Sequence, residues 1–363
     1  CGSGSNLVSM AFRWPKSTFV GVDFVAAQIE AGRFAASEVG LRNIELQSRS
    51  IVDIGDADGL FDYIICHGVY SWVPPEVQQA ILRVCDRNLA PNGVAYVSYN
   101  AYPGWHRRAM LREMMMYYDD LALDPAQRVA RARAFVAALA SVHAASASSH
   151  GAMLHEEAEQ IAKQTDRHLY HEQLEPWNEP VYFSEFMRRA SEHRLSYVAE
   201  SQIVVEPTAM VDLPELLVAE DDRVRTEQYL DFVRGRTFRR TLLCHTDVRP
   251  AAQPLADALR RVWIRSTGEP VEPSAEDAAR GPGVGAFRAF GGRTITTNNP
   301  LMIATLSALQ ETAPAAMPFD DLERRVAARL AASDPATLGD ATLSEVLLLC
   351  ARGGFLEFRA LPS

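Results

Sequence analysis

At 363 residues the chain is long enough for two or three domains of roughly 100–200 residues each. Hydrophobic residues make up 48% and charged residues 23%, the balance of a globular protein with a real core. A net charge of −10 argues against broad phosphate-backbone binding, so no nucleic-acid partner is expected. No apolar run reaches the roughly 18 residues needed to cross a bilayer, so no membrane insertion is expected. The five cysteines are scattered and form no CxxC pair, which reads as reduced thiols in a cytoplasmic protein, not as a disulfide frame or zinc site.

The chain opens on Cys1-Gly2-Ser3-Gly4-Ser5-Asn6. This is a Gly-rich turn whose missing Cβ atoms let backbone approach a ligand. Starting in mid-motif, it is expected to have lost the strand in front of the turn. Leu7–Trp14 reads as a helix closed by Pro15. Thr18–Asp23 reads as a short buried strand ending on a carboxylate. Asp23 falls about 20 residues after the turn, where doubly wound nucleotide-binding folds place the acid that grips a ribose. Phe24–Val39 carries helical periodicity and ends at Gly40, a suitable cap. Asn43–Leu46 is a further strand, and Phe61–Cys66 has the compact apolar run of a parallel strand buried on both faces. Pro74 and Pro75 open a helix to Asn88, and Val94–Tyr99 is the next strand. Strands alternating with helices at this spacing predict a parallel sheet covered by helices.

From Trp105 to Leu169 only helix is predicted. Met110, Met114, Met115 and Tyr118 share a helical stripe that reads as core or dimer contact. Tyr182–Ala190 is an amphipathic helix and Leu195–Ala199 a strand. Residues 1–105 and 174–207 are therefore expected to form one α/β domain, with 106–173 a helical insertion that holds an acceptor or a homodimer partner. Residues 208–292 read as a middle domain and linker. They are mostly helical to 263, with a solvated or ion-paired cluster at Arg234, Arg236, Arg239 and Arg240, and loop-like from Thr267 to Gly292. Residues 293–363 carry helices near Pro300–Thr312, Pro318–Leu330 and Ala341–Cys350 and a terminal strand, a winged-helix-like pattern.

A dinucleotide site requires a third glycine where Leu7 stands, which disfavours NAD. The turn CGSGSN followed by FVGVDF instead resembles class I S-adenosylmethionine-dependent methyltransferases. The stretches FDYIICHGVYSWVP, YVSYNAYPGWHRRAMLREMMMYY and HLYHEQLEPWNEPVYFSEF are similar to bacterial members that carry a methyltransferase regulatory domain. Members of that group resemble lysine methyltransferases of outer-membrane proteins. The resemblance implies a Rossmann-like sheet, S-adenosylmethionine as methyl donor, S-adenosylhomocysteine as product, no metal and a protein acceptor. It places Cys1, Gly2, Ser3, Gly4 and Asn6 under the amino-acid end of the cofactor, Asp23 on the ribose and Phe24 beside the adenosine. Ser50 and Ile51 match the adenine loop, with Asp53 a looser match, and Cys66, His67 and Gly68 match the backbone beside the methionine moiety.

Direct displacement of a methyl group depends on alignment and desolvation, which calls for a narrow aromatic site. Tyr99–Trp105 leaves its strand at the carboxyl edge of the sheet, where open α/β folds bind ligands. Tyr70, Trp72, Tyr102 and Trp105 are candidate walls able to hold an ammonium by cation–π attraction. Packing of the insertion onto the sheet is the competing role. Candidate catalytic residues are thus Tyr102, Trp105, His67, Tyr70 and Asn100, and candidate acceptor contacts are Trp72, Tyr99, His171 and Glu172. His67 either orients the cofactor or accepts a proton, or lends only its backbone. The reading is of a cytoplasmic methyltransferase acting on protein lysine. A small-molecule methyltransferase and a catalytically silent binding module of the same fold are the alternatives.

Overall fold

The structure is a computed structural model that describes residues 1–143, 148–201, 222–250, 256–278, 283–290, 292–331 and 342–362. These residues divide into two compact units. One comprises Cys1–Ser201 and the described residues up to Val248, and the other begins at Arg249.

The first unit starts with α1 (Ser5–Arg13), β1 (Phe19–Asp23), α2 (Ala26–Glu38) and β2 (Ile44–Ser48). Strands β1 and β2 pair in parallel, Phe19 opposite Ile44 and Asp23 opposite Ser48. A second sheet follows from β3 (Phe61–Cys66), which after α3 (Pro75–Asn88) pairs in parallel with β4 (Leu89–Asn100). The expected α/β alternation is present. Burial of β3 on both faces is not: Tyr63 is 74% and Ile65 46% exposed. The edge of β3 away from β4 has no paired strand among the described residues, so its side chains lack a neighbour to cover them.

The helical insertion consists of α4 (Trp105–Tyr118), α5 (Pro125–Val142), α6 (Ser149–Lys163) and the short α7 (Asp166–Leu169). Asp124 and Gln127 form a capping box ahead of Pro125, which fixes where α5 begins. Leu111 and Met115 of α4 pack with Val129, Ala132 and Val136 of α5 and Leu154 and Ile161 of α6 in a core of their own. The methionine stripe thus serves packing through Met115, while Tyr118 stacks on Phe135 with Arg131 over its ring.

After α8 (Phe183–Glu192) come β5 (Leu195–Glu200), α9 (Arg223–Arg234) and β6 (Phe238–His245). Here the structure departs from the sequence-based expectation. Residues 238–245 are not helix but the strand between β4 and β5, antiparallel to both. The α/β unit therefore runs past the boundary expected between 207 and 208, which itself lies outside the described residues. The arginines explain the difference. Side chains alternate across a strand, so Arg239 and Arg240 point to opposite faces. Arg239 is fully buried, bidentate to Asp231 at 2.8 and 2.9 Å, and also bound to Glu227 at 2.9 Å and Glu200 at 3.2 Å. Its guanidinium lies 3.7 Å from the centre of the Phe183 ring. Of the two expected states, ion pairing is the one that holds for Arg239, and it holds inside the core.

The second unit contains α10 (Ala256–Leu259), β7 (Trp263–Ser266), β8 (Gly268–Val271), α11 (Ala275–Ala278), β9 (Gly285–Ala289) and β10 (Thr294–Thr297). The helices α12 (Pro300–Gln310), α13 (Phe319–Leu330) and α14 (Leu343–Gly353) follow, with β11 (Met317–Pro318) and β12 (Leu356–Arg359). The three helices and the terminal strand expected in 293–363 are present, while β12 and β11 both pair with β7, which lies outside that range. The stretch read as loop from Thr267 carries β8 and β9 instead. Both strands are short and rich in Gly, Ala and Pro, which hides the alternation that marks a strand. No described helix is long and apolar enough to cross a membrane.

Removing Arg239 leaves Asp231 buried with Arg236 as its remaining cation, at 2.9 Å. Arg239→Met is expected to lower the unfolding free energy by about 3–5 kcal/mol, because a buried carboxylate loses its bidentate partner. A shift of the urea midpoint measures this. Arg236→Met, which leaves the bidentate pair intact, is expected to cost less.

Candidate active site

The glycine turn folds back on the end of β1. The Gly4 N–H donates to the Cys1 carbonyl at 3.0 Å, and Gly2 and Gly4 have φ of +57° and +66°, in the left-handed region. Asp23 closes the turn. Its Oδ2 accepts from the Gly2 N–H at 2.7 Å and from the Cys1 amino group at 2.9 Å, and its Oδ1 accepts from the Val25 N–H at 2.9 Å. Burial opposes ionisation of this carboxyl, while the Val25 and Gly2 N–H groups favour its charged form. Two glycines pack closely here: Gly32 of α2, where a Cβ would meet the Ser3 carbonyl oxygen at 2.3 Å, and Gly21, in the middle of β1. A Cβ there would meet Leu46 at 2.5 Å and Leu7 at 2.7 Å. Leu7 therefore stands where a dinucleotide fold has glycine, and Gly21 makes the room for it.

The turn and Asp23 fit the cofactor that the family resemblance implies. A Cβ on Gly2 or on Gly68 would meet nothing within 4 Å, so backbone at both places is open to approach, as a cofactor cradle requires. Phe24 is 80% exposed beside Asp23, available as a flat apolar surface. Ser50 caps the turn Ile51–Asp53, its Oγ accepting from Val52 N, and Asp53 is exposed. Cys66 is buried and its thiol is pushed up to about 12, so only its backbone is available at the cradle. His67 is exposed; its Nδ1 lies 3.0 Å from both the Tyr96 hydroxyl and the Ser98 hydroxyl, and the Gly68 N–H donates to Ser98 Oγ at 2.9 Å. Burial and then the nearby Arg240 push the His67 ring below its usual value, which keeps it neutral near pH 7.

At the end of β4 the expected aromatic walls separate into two groups. Tyr70 and Tyr99 are fully buried: Tyr99 stacks on Phe186 at 4.2 Å and bonds Thr241, and Tyr70 meets Phe186 edge-on at 5.2 Å. Trp105 is also interior, at 1% exposure. These three are packing residues, because their rings are enclosed by the core they hold together. Tyr102 and Trp72 are partly exposed. Tyr102 stacks on His106 at 4.1 Å, and His106 Nε2 lies 2.9 Å from the Tyr182 hydroxyl. Trp72 stacks on His171 at 4.9 Å. Asn100 is buried, its main-chain N–H donating to Ser71 Oγ and its Nδ2 to Asn178 Oδ1. His171 and Glu172 lie on one π-helical turn, Tyr170–Leu174. His106, Tyr182 and Asn178 were not singled out from the sequence. The first was visible as part of PGWHRR, but the other two reach the site only through long-range contacts.

Comparisons with known proteins agree with this arrangement. Residues 1–93 match the family described as "Methyltransferase domain", and residues 165–245 match "Predicted methyltransferase regulatory domain". The uncharacterized protein RP789 of Rickettsia prowazekii is 43% identical over 253 residues, which cover 69% of this chain and 45% of that protein. The chain thus spans less than half the length of that relative. The uncharacterized protein RP028 of the same organism is 38% identical over 190 residues, 52% of this chain and 76% of that protein. PKMT2 from Rickettsia typhi superposes with a TM-score of 0.81 at 30% identity, covering 99% of this chain and 69% of that one. The same protein in complex with AdoHcy gives 0.79 and 31%, covering 100% and 70%. The chain belongs to the class I S-adenosylmethionine-dependent methyltransferases that carry a methyltransferase regulatory domain.

Asp23→Ala is expected to weaken S-adenosylhomocysteine binding by at least about tenfold, since a charged hydrogen-bond acceptor on the ribose is lost. Titration calorimetry on the folded variant checks this, and unchanged affinity would remove Asp23 from the cofactor site.

Proposed function

We propose that this class I methyltransferase transfers a methyl group to lysine side chains of a protein. The observation that carries the reading is the position of the Tyr102–His106–Tyr182 aromatic group on the same unit as the glycine turn, at the carboxyl end of the strand that follows Cys66–Gly68. Bound S-adenosylmethionine supplies an electrophilic methyl group on a sulfonium. The chain's own residues do the rest. Gly2, Gly4 and Asp23 hold the cofactor, and Phe24, Ser50 and Ile51 flank its adenosine. The backbone of Cys66–Gly68 lies beside its amino-acid end.

The acceptor side calls for a surface that attracts an alkylammonium and strips its water. Tyr102 meets both requirements. Burial raises its hydroxyl above the ordinary tyrosine value, followed by the charges of Tyr182, Glu113 and Glu179. A ring stacked against an imidazole, with two carboxylates acting on it, is a favourable seat for a cation. The name PKMT2 borne by the solved relative is consistent with protein-lysine methylation.

Incubating the full-length protein with methyl-labelled S-adenosylmethionine and fractionated bacterial extract tests the reading. Label recovered as methyl-lysine after acid hydrolysis of the protein fraction is the expected result. Label confined to small molecules would overturn it. Tyr102→Ala is expected to reduce that incorporation at least about tenfold while leaving S-adenosylhomocysteine affinity unchanged.

A further inference from the structure

The π-helical turn Tyr170–Leu174 sits where the helical insertion returns to the sheet, and such turns concentrate at functional sites. It is pinned from two helices. Arg112 of α4 donates to the Gln173 and Glu175 carbonyls at 2.5 and 2.6 Å. Arg128 of α5, paired with Asp119, donates to the Tyr170 hydroxyl at 2.8 Å and the Leu174 carbonyl at 3.1 Å. A half-buried and a buried cationic side chain thus hold the turn from two helices.

What the turn presents is Glu172. Its carbonyl accepts from Asn178 Nδ2 at 2.8 Å, and Asn178 Oδ1 accepts from Asn100 Nδ2 at 3.0 Å. The chain of bonds Glu172–Asn178–Asn100 ties the main chain at Glu172 to the end of β4, two residues before Tyr102. Next to it, His171 stacks on Trp72, whose buried Nε1 has no partner, and the buried Gln173 Oε1 has none either. Both atoms lie beside Glu172 in sequence or through the stacked His171 and keep hydrogen-bonding capacity that the protein does not use. Glu172 itself is only partly buried, so a side chain entering from solvent can reach it.

We propose that Glu172 receives the ammonium of the acceptor lysine and takes its proton, with Asn100 and Asn178 as the residues that hold its turn against the end of β4. This rests on the protein-lysine reading above. In the step, an N–H bond of the ammonium breaks and its electron pair stays on Nζ, while an O–H bond forms on Glu172. An ion pair becomes a neutral amine and a neutral acid, and the proton leaves to solvent along the exposed side of the carboxyl. Burial pushes the Glu172 carboxyl above its ordinary range, only partly offset by His168, His171, Arg108 and Asn100. A raised carboxyl is a better base toward an amine than an ordinary one. An amine free of its proton is what a methyl acceptor must be, and lysine in water, with a pKa of about 10.4, is almost wholly protonated near pH 7.

The test compares wild type with Glu172→Gln on two readouts. The first is calorimetric binding of Nα-acetyl-lysine methylamide to the full-length protein saturated with S-adenosylhomocysteine. The second is the pH profile of methyl-lysine formation. Glu172→Gln is expected to lose at least about tenfold in affinity for the lysine probe and to keep its S-adenosylhomocysteine affinity. Its residual transfer should rise by about tenfold per pH unit on the alkaline side, following the free amine, while the wild-type profile is flatter. Glu172→Asp, which retains the charge, should keep the wild-type profile and guards against a folding defect in the amide variant. Wild-type probe affinity in Glu172→Gln, or a loss of transfer equal at every pH, would overturn the assignment of Glu172 alone. Absence of methyl-lysine in the wild type would instead overturn the lysine reading and this inference with it.

Discussion

The arrangement of the site depends on a single junction of backbone at the end of β4. Val181 N–H donates to the Asn100 carbonyl at 3.0 Å, Tyr102 N–H donates to the Val181 carbonyl at 3.1 Å, and Ala101 N–H donates to the Thr237 carbonyl at 2.9 Å. Three stretches far apart in sequence therefore meet at one edge: the end of the central strand, the return of the insertion and the entry to β6. Buried backbone donors and acceptors have to be satisfied, so this junction admits little displacement. It carries Asn100 and Tyr102 on one side and Asn178 and Tyr182 on the other. The aromatic group and the hydrogen-bonded chain to Glu172 follow from it.

Behind the junction the unit is held by a charged core. Arg239 on β6 draws in Asp231 and Glu227 from α9 and Glu200 from β5. Buried ion pairs contribute little to net stability but punish the loss of one partner. Here the cluster ties α9 to both strands that flank it, and β6 pairs directly with the strand that ends at Asn100. The end of β4 is thus held in two different ways, by hydrogen-bonded backbone in front and a desolvated guanidinium behind.

Much of this was legible in the sequence. The CGSGSN turn, a strand ending on Asp23 and the alternation of strand and helix up to Asn88 were legible because each is a local signal with a fixed period or spacing. The strand at Phe238–His245 was missed for the opposite reason. Its arginines look like a polar face, and only the carboxylates of Glu200, Glu227 and Asp231 make one of them a core residue. Tyr70 and Tyr99 were grouped with Trp72 and Tyr102 because an aromatic side chain gives no sign of which way it faces. Packing on Phe186 decides that, and it lies about a hundred residues away in the chain. Asn178 acquires meaning only when the insertion closes on Asn100.

The central claim is that the glycine turn with Asp23 and the Tyr102–Glu172 corner serve one reaction from two sides. A crystal structure of the full-length protein with S-adenosylhomocysteine bound tests it most directly. The account predicts both ribose hydroxyls on Asp23 and the sulfur turned toward the Asn100–Tyr102 edge. A cofactor seated away from Asp23, or with its sulfur turned away from that edge, would contradict it.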